Sequence, residues 1–253
     1  MQGPPQPAAP SPPARAVANA PLPKAPEAKP ALVELNAALA RIDCASLHGR
    51  TAVDGAAVVT GTVPDAEQKA KLLQLAAQYF SAGRNEIAVD IVPPPVCRSL
   101  VALDPLRPSS GTGGFGLRLD NGSNRLREGD PIGLRVHGPD YPVDLRIDYF
   151  SLDGRVLHLK PDGQEPPPKL AADATRLFGD AANGEDWRAG GAPFGTELIA
   201  VIATPIPLDL RDRPRIEEAT DYLRDLRQAF DRIKASSRTP GLVATLLVET
   251  SGR

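Results

Sequence analysis

Between Pro131 and Lys160 the chain alternates in a way that few folds can accommodate. Ile132, Leu134 and Val136 are separated by Gly133 and Arg135 and followed by His137. Val143, Leu145, Ile147 and Tyr149 are separated by Asp144, Arg146 and Asp148. A period of two sends successive side chains to opposite faces of a strand, so one face is apolar and the other charged. Asp153-Gly154 is a hairpin turn signal, because glycine accepts the positive φ that such turns need. Val156, Leu157 and Leu159 then lead back toward the core. The pattern predicts half-buried antiparallel sheet with one dry wall and one wet wall. On that reading Asp144, Arg146, Asp148 and His158 belong to the wet wall.

The neighbouring segments extend this sheet. A strand is expected over 115–119, followed by a turn at Asp120-Asn121-Gly122-Ser123-Asn124, whose oxygens lack the spacing of an EF-hand loop. Arg176-Leu177-Phe178 and Asp186-Trp187-Arg188 read as edge strands. Gly195 to Thr204 is almost continuously apolar and reads as a buried strand. Arg215 to Lys234 reads as a helix, with Ile216, Ala219, Leu223, Leu226, Phe230 and Ile233 spaced by three and four. Such a stripe packs a helix across a sheet. Its other use is a homodimer seam through 216–233. Leu242 to Thr250 is a last strand.

The N-terminal half follows a different plan. Residues 1–30 hold ten of the 28 prolines. Proline fixes φ and removes a donor, so this tract is expected to be an extended, solvated linker. Residues 31–43 carry Leu32, Leu35, Leu39 and Ile42 at helical spacing. Short strands are expected at 51–53 and 57–63, joined at Asp54-Gly55. Pro64-Asp65 opens a second helix running to Phe80, with Leu72, Leu73, Ala76 and Phe80 inward. Ile87, Val89 and Ile91 mark a third strand, stopped by Pro93-Pro94-Pro95. Leu100, Val101 and Leu103 form a short closing segment. Pro105, Pro108 and the glycines up to Gly114 read as a joint. The expected layout is therefore a linker (1–30), an αββαβ unit (31–104), a joint (105–114) and a β-sandwich unit with one amphipathic helix (115–250). The class is α+β.

Little in the composition points to chemistry. The net charge of -2 and the 4% of aromatic residues argue against nucleic acid as a partner. Gly111-Thr112-Gly113-Gly114-Phe115-Gly116 matches a dinucleotide fingerprint in letters only, since prolines precede it and a strand follows where a helix is required. His48, His137 and His158 have no companions at metal-ligand spacing, so no metal site and no cofactor are expected. No catalytic motif is present, and the chain is read as a non-enzyme. The alternative is a hydrolase built on the carboxylates around Asp148 and Asp153.

Cys44 and Cys97 flank the first unit, and its compactness would bring them together. A disulfide between them implies an oxidising compartment such as a periplasm. Two free thiols would imply cytoplasm. No apolar run is long enough to span a membrane, so any membrane attachment is expected from a segment upstream.

Two resemblances sharpen this. The αββαβ order, with Val58-Val59-Thr60-Gly61-Thr62-Val63 before a polar helix and a valine-bearing strand, resembles the BON domain over 31–104. That family's Gly-Val ending is here only Gly83-Arg84-Asn85-Glu86-Ile87. The resemblance implies attachment to envelope lipid or envelope proteins. The second half resembles an uncharacterised β-rich module at the C-terminus of bacterial Hanks-type serine/threonine kinases. The matching blocks are Leu126-Arg127-Glu128-Gly129-Asp130, Tyr149 with Asp153-Gly154 and Leu157-His158-Leu159-Lys160-Pro161, and Phe194-Gly195-Thr196-Glu197-Leu198-Ile199. It implies an extracytoplasmic sensory or protein-interaction role beside a kinase. The expected partners are an envelope or secretion-system protein or a small ligand. A structural part of a secretion or envelope assembly is the further alternative.

Overall fold

The computed structural model describes residues 30–52, 56–79, 86–107, 114–163, 165–210 and 213–253. The proline tract before Pro30, the Asp54-Gly55 turn, Phe80, the 81–85 connection and residues 111–113 of the glycine motif lie outside them.

Helix α1 (Pro30–Leu39), strands β1 (Ser46–Thr51) and β2 (Ala57–Val63), helix α2 (Ala66–Tyr79) and strand β3 (Glu86–Ile91) follow in the expected αββαβ order. β1 pairs antiparallel with β2, and β3 joins the other edge of β2 in parallel after the α2 crossover. Asp65 starts α2 by accepting a hydrogen bond from the Gln68 amide at 2.8 Å. Leu35, Leu39, Val59, Leu72 and Val89 close this core. Leu73 was expected inward but is 48% exposed. Leu72 and Ala76, four apart, own the inner stripe, and the next residue is turned about 100° away. β1 also begins upstream of the expected strand at 51–53. Its residues Ser46, His48 and Arg50 give no apolar alternation to read.

Helix α3 (Pro94–Leu103) occupies the expected closing segment, with prolines in its first turn, where no intrahelical amide bond is lost. Its apolar side belongs to the second half of the chain. Val96, Leu100 and Leu103 share one buried cluster with Phe150, Leu198 and Leu226.

That second half is built on a large, mainly antiparallel sheet. Its strands are β5 (Arg125–Arg127), β7 (Val143–Phe150), β8 (Arg155–Lys160), β11 (Thr196–Thr204), β12 (Ile216–Glu218) and β13 (Leu242–Ser251), in the order β12-β8-β7-β11-β13-β5. The short β9 (Lys169–Leu170) also pairs with β7, and β5 alone runs parallel to its neighbour β13. A smaller sheet, β10-β6-β4, is formed by β4 (Gly116–Leu119), β6 (Leu134–His137) and β10 (Thr175–Phe178). It covers one face of the large sheet through Leu119, Leu134, Val136 and Phe178 against Leu145, Ile147, Val201 and Val248. Helices α3 and α4 (Ala219–Ser236) cover the other face. The class is α+β, and this half stacks sheet, sheet and helix.

Three expectations change here. The wet wall is found on β6, where Arg135 and His137 stay partly exposed, but not on β7, every residue of which is buried, including Asp144, Arg146 and Asp148. The period of two was read correctly, but α4 roofs the charged face. Asp186-Trp187-Arg188 is not a strand, and Arg188 makes only an isolated bridge to Pro131. The long helix starts at Ala219, because residues 216–218 pair with β8 as β12. Ile216 is therefore 43% exposed, and Tyr222 joins Ala219, Leu226, Ala229, Phe230 and Ile233 on the buried stripe.

Candidate functional site

The roofed face carries a dense cluster of buried ionisable groups. Asp148 on β7 and His158 on β8 are register partners, beside an irregularity between Ile147 and Asp148 in the β7–β8 pairing. His158 Nδ1 lies 2.6 Å from Asp148 Oδ1, and its Nε2 lies 2.8 Å from Glu217 Oε1 on β12. Both ring nitrogens thus face carboxylate oxygens, and only the doubly protonated ring donates to both. The Tyr222 hydroxyl, arriving from α4, donates to the other Asp148 oxygen. Arg213 forks onto Glu217 and reaches Asp225 of α4 at 2.8 Å. The guanidiniums of Arg146 and Arg213 each lie 5.4 Å from the centre of the Tyr222 ring.

Asp148 is wholly buried and His158 is 3% exposed. His158 was expected on a polar surface with no partner, and that is corrected. Removing an ion from water costs several kcal/mol, which only close opposite charges and hydrogen bonds return. The shifts follow from this packing. Burial raises the Glu217 carboxyl, but hydrogen bonds from Arg213 and His158 outweigh it, and the net shift is downward. Hydrogen bonding to Glu217, then to Asp225, holds Arg213 protonated above its usual range. Burial pulls Arg146 down, yet Tyr222 and Asp148 more than restore it. Burial, then Asp148, pushes Tyr222 well above the ordinary phenol value. One atom of the cluster is left over: Arg146 Nε is buried, 3.4 Å from Asp148, and has no hydrogen-bond partner among the described residues.

These groups are paired with each other, and Arg146, His158 and Arg213 also line a cavity on this side of the sheet. Asp148 and Asp153, the pair considered for hydrolysis, are not brought together. Asp153 sits in the β7–β8 hairpin turn, accepting from Ser151 Oγ and the Arg155 amide, whereas Asp148 lies beneath α4. His48 is exposed 3.5 Å from Asp104, and His137 pairs with Thr175 at 3.0 Å. Among the described residues, no group of three or more His, Cys, Asp or Glu side chains is arranged to hold a metal ion.

An open groove of about 390 Å³ lies beside the sheet. Tyr149, Leu157, Leu159 and Trp187 supply its apolar lining, and Asp153, Arg155, Asp186, Arg188, Glu197 and Arg215 its charges. Tyr149 donates to Glu197 at 2.6 Å. Burial, then that carboxylate, raises the Tyr149 phenol far above its usual value. The segment leading into the groove-lining residues from Asp186 is held by Gly179 and Glu185. Gly179 has a φ of 75°, its amide donates to Glu185 at 2.9 Å, and a Cβ there would stand 2.0 Å from the Ile132 carbonyl.

Cys44, just after α1, and Cys97, in α3, are joined by a disulfide with a Cα–Cα distance of 5.7 Å. It is compatible with an oxidising compartment. Among the described residues no helix is long and apolar enough to cross a membrane.

The groove, Glu217 and Tyr222 were not foreseen from sequence. Tyr222, Leu226, Ala229 and Ile233 step by four, three and four, a second stripe as regular as the one that was read. A tyrosine in such a stripe needs a partner for its hydroxyl, and that was the available signal. No family model matches the chain, and no curated protein matches it.

Proposed function

We propose that this chain is a non-catalytic, extracytoplasmic binding module. Its second half takes a small ligand with an apolar body in the groove beside β8, and its αββαβ unit anchors it to an envelope component. The observation that carries this reading is the groove itself: an apolar concavity with a charged rim, from which the buried Asp148–His158–Glu217 cluster is turned away. A binding site needs apolar contact area and a few placed polar groups. An acid–base site needs ionisable groups that reach the substrate. The Cys44–Cys97 bridge supports a periplasmic location. The role of sensory C-terminus to a membrane-anchored kinase rests on the sequence blocks given above.

Trp187 lines the groove and is the single tryptophan of the chain, so its emission reports occupancy without a label. The test titrates the full chain with fractionated envelope extract, then with the small molecules and peptides recovered from an active fraction. A saturable change in Trp187 emission that disappears in Leu157→Asp is the expected result. Turnover of a recovered compound, abolished by Asp153→Asn or Asp148→Asn, would overturn the non-catalytic reading.

A further inference from the structure

On the roofed side of the sheet a second cavity of about 450 Å³ opens between β7, β8 and the segments around Pro166 and Pro207. Its lining includes four lysine or arginine side chains, Arg146, Lys169, Arg213 and Arg215, against two carboxylates, Asp144 and Glu165. Each of the four has a carboxylate within 4.0 Å, but the pairings are unequal. Arg213 is consumed by Glu217 and Asp225, and Lys169 by Asp144 at 2.8 Å. Glu165 is taken by Lys160 at 3.0 Å. Arg215 has only a loose contact with Asp162, at 3.7 Å. Arg146 is the decisive case. Its side chain is 9% exposed, it lines the cavity, and its buried Nε has no hydrogen-bond partner among the described residues. Buried polar atoms are almost always paired, and an exception asks for an explanation.

A nearly buried guanidinium that lines this cavity, with a loose 3.4 Å contact to Asp148 as its carboxylate pairing, is suited to an oxyanion, which accepts several hydrogen bonds at once. Pro207, Leu208 and Leu210 supply an apolar side. We infer that this cavity is a binding site for a small oxyanion-bearing ligand, a carboxylate or a phosphate ester, held by Arg146 and Arg215 with its carbon skeleton against Leu208 and Leu210. The site is separate from the groove proposed above, although Arg215 stands on the ridge between them and lines both.

Calorimetric titration of the full chain with sodium succinate and, separately, with inorganic phosphate tests this, at ionic strength matched with sodium chloride. Saturable binding of at least one below about 10 mM is expected, and the two arms identify the oxyanion class. Arg146→Met should weaken that binding by about tenfold or more, since it removes a charge-assisted donor while keeping the apolar stem. Lys169→Gln retains a donor for Asp144 and should weaken it by about threefold, the modest effect of one exposed charge at the mouth. Trp187 emission should stay unchanged, because Trp187 does not line this cavity; loss of the groove reading would therefore leave this one standing. If circular dichroism shows Arg146→Met unfolded, Arg215→Gln replaces it with the same expectation. Absence of saturable binding for both anions, or affinity unmoved by the substitutions, would overturn the inference.

Discussion

Asp148→Asn is the sharpest test of the idea that an internally closed ionic cluster holds α4 on the sheet. The substitution keeps shape and removes one charge. Asp148 accepts from His158 at 2.6 Å and from the Tyr222 hydroxyl, and it is the one carboxylate of the described residues within 4.0 Å of Arg146. Without its charge Arg146 has no counterion among the described residues, and His158 keeps only Glu217, which it already shares with Arg213. Breaking a buried pair from one side costs about 3–5 kcal/mol. For a chain of this length that lowers the melting temperature by roughly 6–20 °C. Tyr222→Phe removes one hydrogen bond to a charged acceptor and should cost about 1.5–3 kcal/mol. Because both changes act on one carboxylate, the double variant should fall short of the sum by about 1 kcal/mol or more. Urea unfolding followed by circular dichroism measures all three. If Asp148→Asn costs less than about 1 kcal/mol, or the two changes simply add, the cluster does not hold the helix and the energetic argument fails.

The remaining predictions concern the bridge, the tyrosines, Glu217 and one glycine. Cys44→Ala with Cys97→Ala opens a loop between residues 53 apart, which chain-entropy reasoning values at about 4 kcal/mol; hydrogen exchange should show the αββαβ unit loosening before the large sheet does. Tyr149 and Tyr222 both have phenols raised by burial and a neighbouring carboxylate, so the unfolded chain loses those protons first. Stability should be full below pH 10 and decline as pH rises beyond it, less steeply in Tyr149→Phe. Glu217 is lowered, so its contribution is present above the ordinary glutamate value and is lost as pH falls through its folded value; Glu217→Gln should flatten the acid limb of the stability curve. Gly179→Ala forces a Cβ onto the Ile132 carbonyl at a positive φ, and should cost about 3 kcal/mol or more by thermal melting, with the segment leading into the groove loosened.

What could be read from the residues, and what could not, divides along one physical line. Periodicity reports which side chains share a face, and it located β7, β11, β13 and the helix over Ala219 to Ile233. It does not report what lies above that face. Asp144, Arg146, Asp148 and His158 have the signature of a water-facing row, and nothing local separates that row from a buried one. The difference is made by Glu217, Tyr222 and Arg213, at least 55 residues further along the chain, which supply the opposite charges and hydrogen bonds. A charged row becomes compatible with burial only when such partners arrive together. Conversely, the Cys44–Cys97 bridge was legible because two cysteines at the ends of one compact unit leave a single pairing.

The same reasoning bears on how the two halves are joined. α3 is fastened to the αββαβ unit by Cys97, and its Val96, Leu100 and Leu103 are buried with Phe150, Leu198 and Leu226 in the other half. One helix is therefore covalently tied to one core and packed into the other. Displacing the αββαβ unit must either pull α3 from the large sheet, exposing three aliphatic side chains at about 1.5–3 kcal/mol each, or be absorbed both by the few residues linking β3 to α3 and by those flanking Cys44. Because α3 and α4 roof the same face, a force on the first unit reaches the helix that seals Asp148 and His158. If the molecule senses and does not transform, that shared roof would be the route by which an event at one unit alters the stability of the other.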